Sequence, residues 1–383
     1  MVARRLPFWR LIRVLHRARM MGLWAEIKPL LRDRLFPARM ATTKEGNPVP
    51  PVLFQMATGY WLSQAIYVAA KLGIADLLND GPQSCFALAA ATGSDGRSLF
   101  RLMRALAGVG VFSHVSGDCF ALNRLATSLQ TDAPASLKAM VITIGEIHYQ
   151  ACGSLLYSVQ TGSPAFDDVF GASLFDYLQQ NADSAGAFHH GMTDLSSMLV
   201  YAVLTAYDFT GIASIVDIGG GEGKFLKKIL ELNPQMRGTV FDTASTLGKG
   251  RQELNNGAIG GRCSYVSGDF FDSVPEGADA YLLCGVIHDW DDGRAMKILG
   301  NCRRAMASNG RVLLVDMVVP ENDASCFSKL LDLNMLVMTG GRERTTAEFR
   351  TLLDAAGYKL TRIVPTMAPQ SVIEASPKSR RAA

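Results

Sequence analysis

Paired cysteines are missing from this sequence. Its seven cysteines, at positions 85, 119, 152, 263, 284, 302 and 326, are odd in number, scattered and never spaced as C-x-x-C. That excludes a disulfide framework and the usual zinc spacings, so no metal site is expected and a reducing, cytoplasmic setting fits. Charge is sparse too. It falls on 19% of residues against 48% hydrophobic, which excludes disordered, collagen-like and coiled-coil chains. A broad basic face is also lacking. Residues 1–40 hold ten Lys/Arg against Glu26 and Asp33, a balance of +8, so the remainder carries 28 basic and 33 acidic residues, a balance of −5. A nucleic-acid partner held on an extended basic surface is therefore not expected.

Long apolar runs are scarce. Residues 46–70 are uncharged, but Pro48, Pro50, Pro51, Gln55, Thr58, Ser63 and Gln64 interrupt them, so this segment reads as a buried subunit-interface helix and not a membrane span. Near the beginning, Phe8, Leu11, Ile12 and Leu15 recur at helical spacing with Arg10, Arg13 and Arg17 opposite. This is a basic amphipathic helix, suited to weak contact of residues 1–40 with an anionic membrane surface. A solvated appendage, or a start at Met40, is the alternative.

At 383 residues the chain holds two or three domains. The organisation read from it is an extension over 1–45, a winged-helix-like domain over 46–135, a helical segment over 136–208 and an α/β domain over 209–383. In the second, helices over Val52–Leu78, Ser84–Ala91 and Ser98–Gly108 precede a hairpin, Val111–Val115 with Phe120–Leu122. Arg97, Arg101 and Arg104 could grip phosphate, yet such arginines are ordinary on an exposed helix. The third is rich in His, Met and aromatic residues. His148, Phe188 and Met192 are candidates for the lid of a pocket for a planar ligand, although each singly reads as packing.

Beyond Thr210 strands and helices alternate. Ser214–Asp217, Thr239–Asp242, Tyr265–Ser267, Ala280–Leu283 and Arg311–Asp316 are short apolar runs, with helices such as Lys224–Leu232 and Asp292–Ala307 between them. That is a doubly wound, mostly parallel sheet. Lys359–Val364 and Ser371–Ala375 are joined too closely for a crossover, so the sheet ends in an antiparallel hairpin and counts seven strands.

Val216-Asp-Ile-Gly219-Gly-Gly221-Glu-Gly-Lys-Phe225 follows a strand and opens a helix. It is neither G-x-G-x-x-G nor a P-loop. Asp217 and Glu222 repel pyrophosphate, whereas a cationic, phosphate-free nucleoside suits them. Asp242, at the next strand end, can accept from ribose hydroxyls, and Asp269, in Gly268-Asp-Phe270-Phe271, from an adenine amine. S-adenosylmethionine meets these demands, with Asp217, Gly219, Gly221, Asp242, Asp269 and Phe270 as its binding residues. His288 follows the fourth strand in His288-Asp-Trp-Asp-Asp292, Asp316 ends the fifth, and Glu343 lies on the loop Thr339-Gly-Gly-Arg-Glu343-Arg-Thr345.

With these motifs in this order, residues 50–375 resemble the S-adenosylmethionine-dependent O-methyltransferases of the plant caffeic acid and hydroxyindole type, in their bacterial natural-product branch. Phe175-Asp-Tyr-Leu178, Phe188 and Met192 also match. The resemblance implies a Rossmann-like class I methyltransferase domain preceded by an α-helical winged-helix domain that forms a homodimer and binds no nucleic acid. It implies His288 as general base flanked by Asp316 and Glu343, and Met335 and Met338, with Met192, packing the acceptor, a hydroxylated aromatic secondary metabolite. Asp289 is expected to play a supporting part. One departure is Cys284, where many plant members have a cofactor-contacting lysine. With an ordinary pKa of about 6.5, His288 is expected to be largely free to take a proton at neutral pH. Alternatives of the same fold are C- or N-methylation or a cofactor-assisted reaction without methyl transfer. A winged-helix regulator is the alternative of a different class.

Overall fold

The structure is a computed structural model that describes residues 50–134, 136–247, 259, 261–323 and 325–378. The basic amphipathic segment over 1–40 lies outside the described residues. Two compact units divide the chain, Met1–Gly145 and Glu146–Ala383.

In the first unit, the helical stretch expected over Val52–Leu78 is three helices, Pro50–Ala57, Tyr60–Lys71 and Ile74–Leu77. The break before the last falls at Gly73, whose φ of 66° is left-handed and costs glycine little. Helices Cys85–Thr92 and Gly96–Gly108 follow. Each begins on a side-chain cap: Ser84 accepts the Ala87 amide and Asp95 the Ser98 amide. Strands β1 (Gln83–Ser84), β2 (Ser113–Ser116) and β3 (Cys119–Ala121) form a small antiparallel sheet in the order β1-β3-β2. The hairpin is therefore the expected one, shifted by about two residues at its start and joined by a third strand. Leu88, Leu99, Met103, Leu106, Phe112 and Phe120 are buried at the centre. Leu53, Phe54, Met56, Tyr60 and Trp61 of the first two helices are exposed.

The second unit is built on β4 (Ser214–Ile218), β5 (Arg237–Asp242), β6 (Cys263–Ser267), β7 (Ala280–Cys284), β8 (Arg311–Val319), β9 (Arg344–Thr345), β10 (Tyr358–Pro365) and β11 (Gln370–Pro377). Their order is β10-β11-β8-β7-β4-β5-β6, with the two-residue β9 pairing the far end of β8. Only β11 runs against its neighbours. The central strands are apolar along their length, as burial on both faces requires. Ile215, Leu282 and Leu313 pack towards one helix layer, and Val216, Leu283 and Leu314 towards the other. From β4 the chain winds outward through β5 and β6, then returns to β7 on the other side. The switch point of the sheet thus lies between the carboxyl ends of β4 and β7, where α/β sheets bind ligands. No described helix is long and apolar enough to cross a membrane.

The antiparallel strand is tied in by a buried carboxylate. Tyr207, just past the Ala182–Ala206 helix, donates to Glu374 Oε2 at 2.6 Å, and Arg362 Nε and Nη2 donate to the same oxygen at 3.0 and 2.8 Å. Replacing Glu374 by Ala removes three bonds and strands three donor groups on two side chains. Glu374→Ala is expected to lower unfolding free energy by about 2 kcal/mol, read from the urea midpoint at unchanged slope.

Candidate active site

Gly219, Gly221 and Gly223 all have positive φ (67°, 58° and 81°), so the chain leaving β4 makes a tight turn into the Lys224–Leu232 helix. A Cβ on Gly219 would stand 2.9 Å from Val286, whereas one on Gly221 would meet nothing within 4 Å. The loop is packed at Gly219 and open at Gly221. Asp242, the last residue of β5, accepts the Gly221 amide at 2.9 Å and the Thr243 amide at 2.7 Å. Asp217 is buried in β4 with Oδ2 unpartnered, and burial together with the charge of Asp242 pushes it up to about 8. Asp269 accepts the Phe271 amide at 2.7 Å. Phe270 and Phe271 set their rings edge-on to Trp290, at 6.1 and 4.8 Å.

His288 sits in a single helical turn, Ile287–Asp289, just past β7. Its Nδ1 lies 2.7 Å from Glu343 Oε1, a carboxylate wholly shielded from solvent. Asp289 Oδ1 stands 3.8 Å from the other ring nitrogen, Nε2. Asp316 lies within β8 and not at its end, because the strand continues to Val319. It is buried and neither of its oxygens has a hydrogen-bond partner. It therefore acts on the imidazole through space. Burial lowers the imidazole pKa, but Asp289, the Glu343 hydrogen bond and Asp316 outweigh it and raise His288 to about 10. The acids around the ring thus favour its protonated form, unlike the ordinary histidine expected from sequence. Burial and neighbouring acids push Asp289 up to about 6 and Asp316 to about 7, against the pull of His288.

Two loops must interlock to make the His288–Glu343 contact. The Arg342 amide donates to the His288 carbonyl at 2.8 Å, and a Cβ on Gly341 would overlap that carbonyl and the Asp289 backbone. Asp332 Oδ1 accepts the Glu343 amide at 2.8 Å. Arg344, 1% exposed, donates to the carbonyls of Ile287 (3.1 Å), Trp290 (3.0 Å) and Arg342 (3.3 Å), and to Asp292 at 2.7 Å. Sequence reasoning singled out neither Arg344 nor Asp332. The only available signal was the position of Arg344 inside the Gly-Gly loop.

Two of the candidate acceptor residues lie on the Phe327–Met338 helix. Met335 and Met338 are buried on it. Met338 and Phe188 share an apolar cluster with Ile147, Phe166 and Val337, and neither Met335 nor the half-buried Met192 belongs to it. His148 ends a π-helical turn, Ile144–His148, and its Nδ1 lies 3.2 Å from Asn334 Nδ2.

Residues 54–132 match the O-methyltransferase dimerisation domain, and residues 153–359 match the O-methyltransferase domain. A phenazine O-methyltransferase of Lysobacter antibioticus is 42% identical over 86% of this chain and 97% of its own. The chain belongs to the S-adenosylmethionine-dependent O-methyltransferases. Relatives of this methyltransferase include the phenazine-1-carboxylate N-methyltransferase of Pseudomonas aeruginosa, 36% identical over 82% of this chain and 92% of that one. Human N-acetylserotonin methyltransferase, solved with S-adenosylmethionine, superposes with a TM-score of 0.79 at 28% identity, covering 86% of this chain and 97% of that chain. The cofactor of the methyltransferase is accordingly S-adenosylmethionine. The residues present fit it: the buried, unpartnered carboxylate oxygen of Asp217, packed against Gly220 in the glycine loop, suits a cation and not a phosphate.

Lysine in place of Arg344 keeps the charge but cannot reach three carbonyls and a carboxylate from one planar head. In Arg344→Lys, kcat is expected to fall by more than about tenfold while cofactor affinity changes by less than about threefold, measured by initial rates and calorimetry.

Proposed function

We propose that this enzyme transfers the methyl of S-adenosylmethionine to a phenolic hydroxyl of a planar, apolar small molecule, with His288 removing the hydroxyl proton. The observation that carries this reading is the buried 2.7 Å bond between His288 Nδ1 and Glu343, which fixes the ring and leaves Nε2 to exchange a proton. Asp242 would hold the ribose, Asp269 and Phe270 the adenine, and Asp217 with Gly219 and Gly221 the cationic amino-acid portion. When bound, S-adenosylmethionine supplies an electrophilic methyl on a positively charged sulfur, a charge that lowers the proton affinity of neighbouring groups. His288 accepts a proton only in its neutral form. Glu343 stabilises the imidazolium produced, and Asp289 and Asp316 add to that stabilisation through space. Phe188, Met192, Met335 and Met338 would hold the apolar ring so that its hydroxyl faces His288, alignment being a large part of such catalysis.

N-methylation is the second reading, and the raised His288 favours it: a nitrogen lone pair attacks without a base, so a protonated imidazole would be no obstacle. Incubation with methyl-labelled S-adenosylmethionine and a panel of phenols and ring-nitrogen heterocycles separates the two. Label on oxygen, reduced by at least about 100-fold in His288→Ala, supports the first reading. Label on nitrogen that persists in His288→Ala supports the second.

The pH dependence follows from charge. A base that must be neutral works above its own pKa, so kcat/KM for a phenol is expected to climb with pH and to reach half of its plateau near 10. Removing a negative partner lowers the imidazole pKa. Glu343→Gln is expected to move the rising limb to lower pH while reducing the plateau, as a rate–pH profile would show.

A homodimer formed through residues 54–132 is supported by the dimerisation-domain match and by exposed Phe54, Met56, Tyr60 and Trp61. Sedimentation velocity is expected to give twice the 41.4 kDa chain mass.

A further inference from the structure

His148 carries a polar atom that the methyl-transfer chemistry does not use. Its Nε2 is shielded from solvent and has no hydrogen-bond partner, while Nδ1 faces Asn334 Nδ2 at 3.2 Å. Burial pushes the imidazole down to about 4, against the hydrogen bond from Asn334, so the ring is neutral and carries a single proton. An amide nitrogen has no lone pair to offer, so Asn334 donates and Nδ1 accepts. The proton is therefore on Nε2. The same Asn334 nitrogen lies 3.9 Å from Cys152 Sγ, a weak acceptor, which agrees with that orientation.

The Phe327–Met338 helix relates this donor to the rest of the site. At 3.6 residues per turn, Met338, Met335 and Asp332 stand about 40°, 100° and 160° around from Asn334, so the four residues occupy less than half of the circumference. One margin of that face meets the catalytic loop, where Asp332 accepts the Glu343 amide. The other margin meets His148. The two methionines lie between.

We propose that His148 Nε2–H recognises a hydrogen-bond acceptor of the substrate, a carbonyl oxygen or aromatic ring nitrogen, on the part of the ring system remote from the reacting hydroxyl. The inference rests on the reading of the methionine face as the acceptor wall. It narrows the substrate from any apolar phenol to a fused aromatic that carries an embedded acceptor. Asn334 acts by fixing which imidazole nitrogen holds the proton.

Two aromatics of like shape test it: a hydroxyanthraquinone and the hydroxyanthracene with its hydroxyl at the corresponding position. Dissociation constants are measured by calorimetry with S-adenosylhomocysteine present, and kcat/KM with the methyl donor. Wild type is expected to favour the quinone by about tenfold or more in both measurements. In His148→Phe that ratio is expected to fall to within about twofold of unity. His148→Gln, whose amide NH2 can take the place of Nε2–H, should keep part of the preference and guards against a folding defect in the phenylalanine variant. A wild-type ratio near one, or a ratio unchanged in His148→Phe, overturns the proposal. Preferential quinone binding without methyl transfer to oxygen would leave the role of His148 standing and sink the hydroxyl reading. Equal transfer to both phenols would do the reverse.

Discussion

The bond between His288 and Glu343 is the constraint on which the catalytic end of the molecule depends. A carboxylate excluded from water is tolerated only with a strong partner, and an imidazole between acids is held charged. Neither residue could keep its place alone, since one follows β7 and the other lies 55 residues later on the loop before β9. The glycine at 341 lets the two backbones touch, and the buried Arg344 gathers the carbonyls of both loops around one guanidinium. Rigidity here comes from backbone contacts, and the functional side chains inherit it.

The glycine loop after β4 has a related economy. Asp242 spends its two oxygens on backbone amides and so shapes the turn, while Asp217 is left beneath it with an oxygen unpartnered. Burial, with the charge of Asp242 added to it, raises the Asp217 carboxyl to about 8, so it holds a proton far more tightly than a free carboxylate does. A buried carboxyl oxygen without a partner is a cost to the folded chain. The acidic character of the loop, legible from Asp217 and Glu222, has this physical content.

Much of the catalytic unit can be read from sequence because its signals are local. Apolar runs such as Ser214–Ile218 and Ala280–Cys284 declare buried strands, and the short link before Gln370 permits only antiparallel pairing. Other features arise where distant segments meet. β8 continues to Val319 because β9 pairs with its far end, a contact invisible in either segment, so Asp316 lies inside the strand. Arg344 is one of 38 basic side chains, and its burial depends on carbonyls more than fifty residues away. The proton held by His288 is the sum of three converging acids, of which only Asp289 is adjacent in sequence.

The place of β11 in the sheet has a consequence for how the chain is made. β8 has β7 on one side and β11 on the other, and of the described strands of this sheet β11 leaves the ribosome last. Until residues 370–377 emerge, Val312–Val315 form an apolar edge with open backbone groups, the kind of edge that recruits other chains. The newborn protein must therefore pass through an interval in which this largely buried strand lacks its second neighbour. Slow delivery of the final segment would favour aggregates over enzyme, even though every residue named in the active site had already been synthesised.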